Sequence, residues 1–200
     1  MHLFPEDKVI NVLNSKDFTM AQQTITLGGG CFWCVEAIFK DVQGVTEVTS
    51  GYSGGTEETA NYRAVCSKET DHVEVVQVSF DDAVISLEDI LKIFFSTHNP
   101  TTPNQQGADK GPQYRSVIFY HNEEQREVAE RVARDFAPTL WDDPIVTGIE
   151  PFDSYYLAEN YHQDYYTKTG NRNPYCTVVI TPKVSKFRKQ FAERLKPGVV

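Results

Sequence analysis

Alternation of polar and apolar residues marks the first ordered segment. Thr24-Ile25-Thr26-Leu27 places Ile25 and Leu27 on one face, the pattern of a half-buried strand. Gly28-Gly29-Gly30 predicts a tight turn with room for a close backbone approach. Phe32, Val35 and Phe39 then recur at i, i+3 and i+7, a helical stripe. Alternation returns at Val45, Glu47 and Thr49 within 44–50. It returns again over 72–80, where Glu74, Val76, Val78 and Phe80 share one face. Leu87, Ile90, Leu91, Phe94 and Phe95 take the spacing of a core helix, with Ser86 and Asp89 as its cap and His98-Asn99-Pro100 as its stop. A polar loop over 101–112 leads into a strand over 113–120. Val128, Val132 and Phe136 predict an amphipathic helix over 123–136 that Pro138 ends. Beyond it the pattern predicts a strand over 145–150, an aromatic cluster over 152–166, a coil passing into a short strand over 173–180, and a basic helix from Pro182.

Strands and helices mix without regular alternation. That predicts an α/β (α+β) two-layer sandwich with a mixed, mainly antiparallel sheet and packed helices, not a doubly wound nucleotide binder. Residues 1–19 carry no clear pattern. They are an arm or lie upstream of the functional start, so the organisation expected is an N-terminal arm over 1–21 and a single catalytic domain over 22–195.

Composition narrows the setting. The 200 residues, 40% hydrophobic and 12% aromatic, suffice for one domain with a sizeable core. No run of about 18 apolar residues occurs, so no membrane span is expected. The start lacks the basic-then-apolar order of a secretory leader. A formal net charge of −9 argues against non-specific nucleic-acid binding. The 4 cysteines, of which Cys31 and Cys34 form a close Cys-x-x-Cys pair, fit redox chemistry in a reducing, cytoplasmic compartment better than a disulfide scaffold.

The candidate chemistry starts at Cys31. A thiol at a helix N-terminus faces free N–H groups and the positive end of the helix dipole, so it is expected to ionise more easily than a free cysteine. Beside Phe32 and Trp33 it reads as a nucleophile facing an apolar substrate group. The plainer reading is a buried structural cysteine. Glu74 ends an otherwise apolar strand face. If that face is inward, desolvation raises its proton affinity and suits it to general acid work; the other reading is a strand-end glutamate reaching solvent. The glycine-rich stretch 51–55 lacks the Lys-Ser/Thr ending of a phosphate-binding loop. His98 reads as structural. His162 has no visible partner ligands for a metal, and the aromatic cluster around it reads as packing about the site.

The run Gly30-Cys31-Phe32-Trp33-Cys34, followed by Glu36, resembles the signature of the A-type peptide-methionine sulfoxide reductases. The resemblance extends to Tyr62-Arg63-Ala64-Val65-Cys66, to Asp71-His72-Val73-Glu74, to the element Gln106, Gly107, Asp109, Gly111, Gln113, Tyr114, Arg115 and Ser116, and to Ala158-Glu159-Asn160-Tyr161-His162-Gln163. It covers roughly Gln22 to Phe191, with its motifs in the family's order, and it implies a ferredoxin-like plait.

It further implies that the family's catalytic glutamate falls on Glu74, its two tyrosines on Tyr62 and Tyr114, and its substrate-site aspartate on Asp109. The implied reaction is attack of the Cys31 thiolate on the sulfur of methionine (S)-sulfoxide, in oxidised proteins or free. Glu74 protonates the departing oxygen, Tyr62 and Tyr114 donate to it, and Phe32 and Trp33 enclose the methyl group. Cys31 becomes a sulfenic acid, which a second thiol resolves. Cys34 is the first choice for that thiol, from the Cys-x-x-Cys spacing, then Cys176, then Cys66. Thioredoxin then restores the enzyme, with no metal or organic cofactor. Many family members end in a glycine-rich tail with recycling cysteines, and none follows Cys176 here. Two rival readings stay open. A thioredoxin-like disulfide oxidoreductase would use Cys31 and Cys34 but has no need of Glu74, Asp109 or the tyrosines. A zinc-binding interaction module would need Cys66, His72 or Cys176 to complete the site.

Overall fold

The computed structural model describes residues 22–199. The expected N-terminal arm over 1–21 lies outside them. The chain runs through β1 (Gln22–Gly29), α1 (Phe32–Lys40), β2 (Val45–Ser53), α2 (Tyr62–Cys66), β3 (Val73–Asp81), α3 (Leu87–Thr97), β4 (Gln105–Gln106), β5 (Asp109–Lys110), β6 (Ser116–Tyr120), α4 (Glu123–Asp135), β7 (Gly148–Pro151), β8 (Tyr156–Leu157), α5 (Tyr165–Thr169) and α6 (Thr181–Gln190).

The main sheet has the order β7-β6-β1-β3-β2-β8, and only the β6–β7 pair is parallel. Its inner four strands, in the order β6-β1-β3-β2 with α1 and α3 as crossovers, make the ferredoxin-like β-α-β-β-α-β arrangement. The fold class expected from the pattern is therefore the one observed: mixed α and β, mainly antiparallel, with helices packed on the sheet.

Register explains which face is buried. Ile25 pairs with Val78 and Leu27 with Val76, and both pairs face the layer that contains Phe39, Phe94 and Phe95. Val73, Val75, Val117 and Phe119 point the other way and are covered by Phe152 and Tyr155. The period of two thus puts Glu74 on the helix side, with Val76. At α3 the expected cap forms, with Ser86 Oγ accepting the Asp89 N–H at 3.1 Å.

Several boundaries differ from the pattern reading, among them the strand expected over 145–150, which starts at Gly148. Gly28 and Gly29 continue β1, and of the three glycines Gly30 alone turns the chain, at φ +91°. Gly51 lies within β2, so the glycine-rich loop begins at Gly54. The strand expected from Gln113 starts at Ser116, because Pro112–Tyr114 forms a 3-10 turn with proline at its start. The short strand expected within 173–180 is instead a π-helical run, Cys176–Ile180, continuous with α6. Cys176 and Ile180 are buried while Val178 is 73% exposed. Burial at i and i+4 is a helical demand, and it overrides the β-propensity of Val178, Val179 and Ile180.

Candidate active site

The site grows from the turn between β1 and α1. At Gly30 a Cβ would lie 2.5 Å from Cγ of Gln106, so only glycine combines this φ with the close approach of the 99–107 loop. Gln106 clamps that loop: its Oε1 accepts the Asn99 N–H at 2.9 Å, and its Nε2 donates to the Asn99 carbonyl. The clamp holds the β4–β5 hairpin, and with it Asp109, against the turn.

Cys31 becomes the N-cap of α1. It retains 8% exposure and opens onto a cavity of about 260 Å³. Phe32, Trp33, Tyr62, Glu74, Asp109, Tyr114 and Tyr175 line the same cavity. Five separate elements thus bring together Cys31, Phe32, Trp33, Tyr62, Glu74, Asp109 and Tyr114, all expected from the sequence.

Glu74 sits opposite Tyr52 in the β2–β3 register and does not reach solvent, with 2% exposure. Its Oε2 accepts the backbone N–H of Phe32 at 3.1 Å. Burial pushes its carboxyl up to about 8, against that N–H, which favours the carboxylate; the charges of Asp109 and Cys34 add to the rise. At neutral pH it holds a proton inside a cavity.

Cys31 departs from expectation. Burial, its hydrogen bond with Cys34 and the charges of Cys34 and Glu74 push its thiol well above the ordinary value. Desolvation outweighs the dipole, and the first free N–H of α1 is already committed to Glu74. Cys34 moves the other way, chiefly through the hydrogen bond with Cys31. The two thiols are one unit: the first proton is held less tightly than on a free cysteine, and the second is held between the sulfurs.

The tyrosines stay protonated and can donate. Burial lifts both phenols above their ordinary value, with Cys66 as hydrogen-bond partner at Tyr62 and the Glu74 charge adding at Tyr114. Asp109 accepts the hydroxyl of Tyr175 at 2.6 Å.

The aromatic wall is fixed by residues far along the chain. Trp33 Nε1 donates to His162 Nδ1 at 3.0 Å, and the Tyr165 ring stacks on the indole at 3.8 Å between centroids. An indole N–H only donates, so His162 is neutral with its proton on Nε2, 3.7 Å from Glu159 Oε2. Glu159 also accepts the Tyr52 hydroxyl and the Tyr62 N–H, each at 2.9 Å, which sets the start of α2 and hence Tyr62.

Pattern reading missed Tyr175, and it saw His162 and Glu159 only as members of a cluster or motif. The one local signal for Tyr175 is its place just before Cys176.

All four cysteines are free. Cys176 is buried in the π-helical run and lies within electrostatic reach of Cys34, whereas Cys66 belongs with Tyr62 at the end of α2. Among the described residues no group of three or more His, Cys, Asp or Glu side chains is placed to hold a metal ion, and no helix is long and apolar enough to cross a membrane.

Comparisons with known proteins agree with this geometry. Residues 23–195 match the family model described as peptide methionine sulfoxide reductase. The chain is 51% identical over 174 residues to peptide methionine sulfoxide reductase MsrA of Saccharolobus solfataricus, covering 87% of this chain and 97% of that one. It is 49% identical over 178 residues to the MsrA of Thermus thermophilus, covering 89% of this chain and all of the other. Among solved structures, Mxr1 of Saccharomyces cerevisiae in reduced form superposes with a TM-score of 0.70 at 36% identity, over 75% of this chain and 87% of that one. Methionine sulfoxide reductase A of Corynebacterium diphtheriae gives 0.68 at 33% identity over 78% of each chain. With the Cys31 thiol, a protonated carboxyl and an aromatic wall around one cavity, and with this likeness over nearly its whole described length, the chain belongs to the peptide methionine sulfoxide reductase family.

Proposed function

We propose that residues 22–195 reduce the S epimer of methionine sulfoxide, free or in oxidised proteins, with Cys31 as nucleophile, Glu74 as general acid and thioredoxin as the dithiol that closes the cycle. The observation that carries this reading is that Glu74 is fastened to the same helix end that presents Cys31, and both face one cavity.

The methyl and stem of the substrate lie against Phe32 and Trp33, which need only be apolar. Cys31 attacks the sulfoxide sulfur, and its proton has an acceptor in Cys34, its hydrogen-bond partner. Glu74 gives its proton to the oxygen as the S–O bond weakens, and Tyr62 and Tyr114 donate to the charge that develops there. Asp109, tied to Tyr175, orients the substrate from the opposite wall. Two electrons pass from the thiol to the sulfoxide. The protonated oxygen passes to the Cys31 sulfur as the bond between the two sulfurs breaks, so methionine leaves and Cys31 is a sulfenic acid.

The Cys34 thiol condenses with it, releasing water and forming the Cys31–Cys34 disulfide. Cys176, within electrostatic reach of Cys34, is the second candidate for this step. An incoming dithiol returns two electrons and two protons, and the reaction calls for no metal or organic cofactor. A cytoplasmic setting fits a cycle that starts and ends with free thiols.

The test is reduction of each epimer of a methionine sulfoxide peptide with dithiothreitol, by wild type and Cys31→Ser. Loss of the S epimer alone, absent in the variant, supports the reading. Turnover of neither epimer by wild type would overturn it.

A further inference from the structure

Beside the catalytic cavity lies a second one, of about 470 Å³. Asp109 and Tyr175 stand in the walls of both, so their 2.6 Å hydrogen bond is the partition between them. The apolar side of the second cavity includes Trp141, Val178 and Val179, and Trp141 is held in place by donating its indole N–H to the Phe95 carbonyl at 3.0 Å. Its other side is one stripe of α6. Lys183, Lys186, Phe187 and Gln190 fall at i, i+3, i+4 and i+7, and all four line the cavity.

Among the described residues neither lysine has an ion-pair partner. The single carboxylate in the wall, Asp109, is engaged by Tyr175. In a chain of net charge −9, this cavity next to the reaction site therefore carries a local positive charge.

We infer that this cavity is a subsite for an acidic residue flanking the oxidised methionine of a protein substrate, with its carboxylate held by Lys183 and Lys186 and its alkyl stem laid on Val179 and Trp141. The inference rests on the reductase reading above. The volume suits one or two side chains rather than a folded partner. A peptide leaving the catalytic cavity over Asp109 and Tyr175 enters it directly, and the charge selects a carboxylate.

The test compares matched methionine sulfoxide peptides with Glu, Ala or Lys next to the oxidised residue, on either side, together with N-acetyl-methionine sulfoxide methylamide. Wild type, Lys183→Gln, Lys186→Gln and Lys186→Glu are compared. Because the Lys183 charge also reaches Cys34, selectivity is read in single turnover as the ratio between peptides, in which any change at the thiols cancels.

Expected is a preference of wild type for Glu over Lys that weakens about two- to fivefold with each lysine removed, is stronger at low salt, and turns toward Lys in Lys186→Glu. The methylamide should be reduced equally by wild type and the two Lys186 variants, and in Lys183→Gln it gives the reference rate against which the peptide ratios are read. Equal ratios in wild type and variants would overturn the subsite. So would variants that lose only recycling by thioredoxin, since that outcome reassigns the cavity to the reductant. Failure of wild type on the methylamide would instead overturn the reductase reading itself.

Discussion

Glu74 Oε2 accepts the backbone N–H of Phe32 at 3.1 Å, across 42 positions of sequence. The bond joins β3 to the first turn of α1 and fixes the proposed acid relative to the proposed nucleophile. In the proposed mechanism the working form is the protonated one, and burial places its titration at about 8. The rate of methionine release in a single turnover should therefore hold its value through neutrality and fall about tenfold per pH unit above about 8. Glu74→Gln should slow that step by about 10²- to 10⁴-fold and remove the alkaline limb. A limb of unchanged midpoint in the variant would assign it to another group.

The same carboxyl makes stability depend on pH, and the sign follows from the direction of its shift. Folded Glu74 binds its proton more tightly than the unfolded chain does, with values of about 8 against 4.5. Between these values the native state holds the proton that the unfolded state has lost, so stability falls as pH rises through this window. Glu74→Gln has no charge to bury. Its melting temperature relative to wild type should be higher at pH 8.5 than at pH 5 by at least about 2 °C. Equal differences at the two pH values would mean that Glu74 is not desolvated in solution.

Cys31 and Cys34 share one hydrogen bond, and Cys176 is buried within electrostatic reach of Cys34. Cys31→Ser should release no methionine. Cys34→Ser should release one equivalent and then stall with thioredoxin, its Cys31 trapped by a sulfenic-acid reagent. Cys176→Ser should turn over like wild type and, after one oxidation, show the mass loss of two hydrogens that marks the Cys31–Cys34 disulfide. If Cys34→Ser forms a disulfide and recycles while Cys176→Ser stalls, the resolving role belongs to Cys176.

Much of this arrangement was legible along the chain because it rests on local periods. Alternation in β3 placed Glu74 on the face of Val76, with the structure deciding that this face is the inward one, and the i, i+3, i+7 stripe of Phe32, Val35 and Phe39 placed Cys31 at a helix start. The fold class followed from the irregular mixture of such segments. What stayed hidden depends on contacts between distant segments. The Tyr175–Asp109 bond spans 66 positions, and the Trp33–His162 bond spans 129. No local period encodes either. The helical state of Cys176–Ile180 was hidden for a related reason: its composition favours a strand, and only packing of Cys176 and Ile180 into the core decides otherwise. The proton affinity of Cys31 was misjudged because a helix N-terminus is visible in sequence, whereas the depth of its burial is not.

His162 accepts the Trp33 indole N–H at 3.0 Å while its ring lies 5.0 Å from Phe32 and 4.6 Å from Tyr62. From this geometry His162 is expected to act through Trp33, as a positioning residue. His162→Ala leaves the indole N–H without its partner, at a cost of about 1–3 kcal/mol that Trp33 can avoid only by turning away. The wall proposed to receive the substrate methyl would then be lost. KM should rise about tenfold, while the single-turnover rate at saturating sulfoxide changes less than about threefold, because Glu74 and Cys31 are held independently. Tryptophan emission should shift to longer wavelength as the indole meets water. His162→Gln supplies an amide oxygen as acceptor and should restore most of the affinity. A fall in kcat with KM unchanged, not rescued by glutamine, would show that His162 acts on the chemical step and not through the orientation of Trp33.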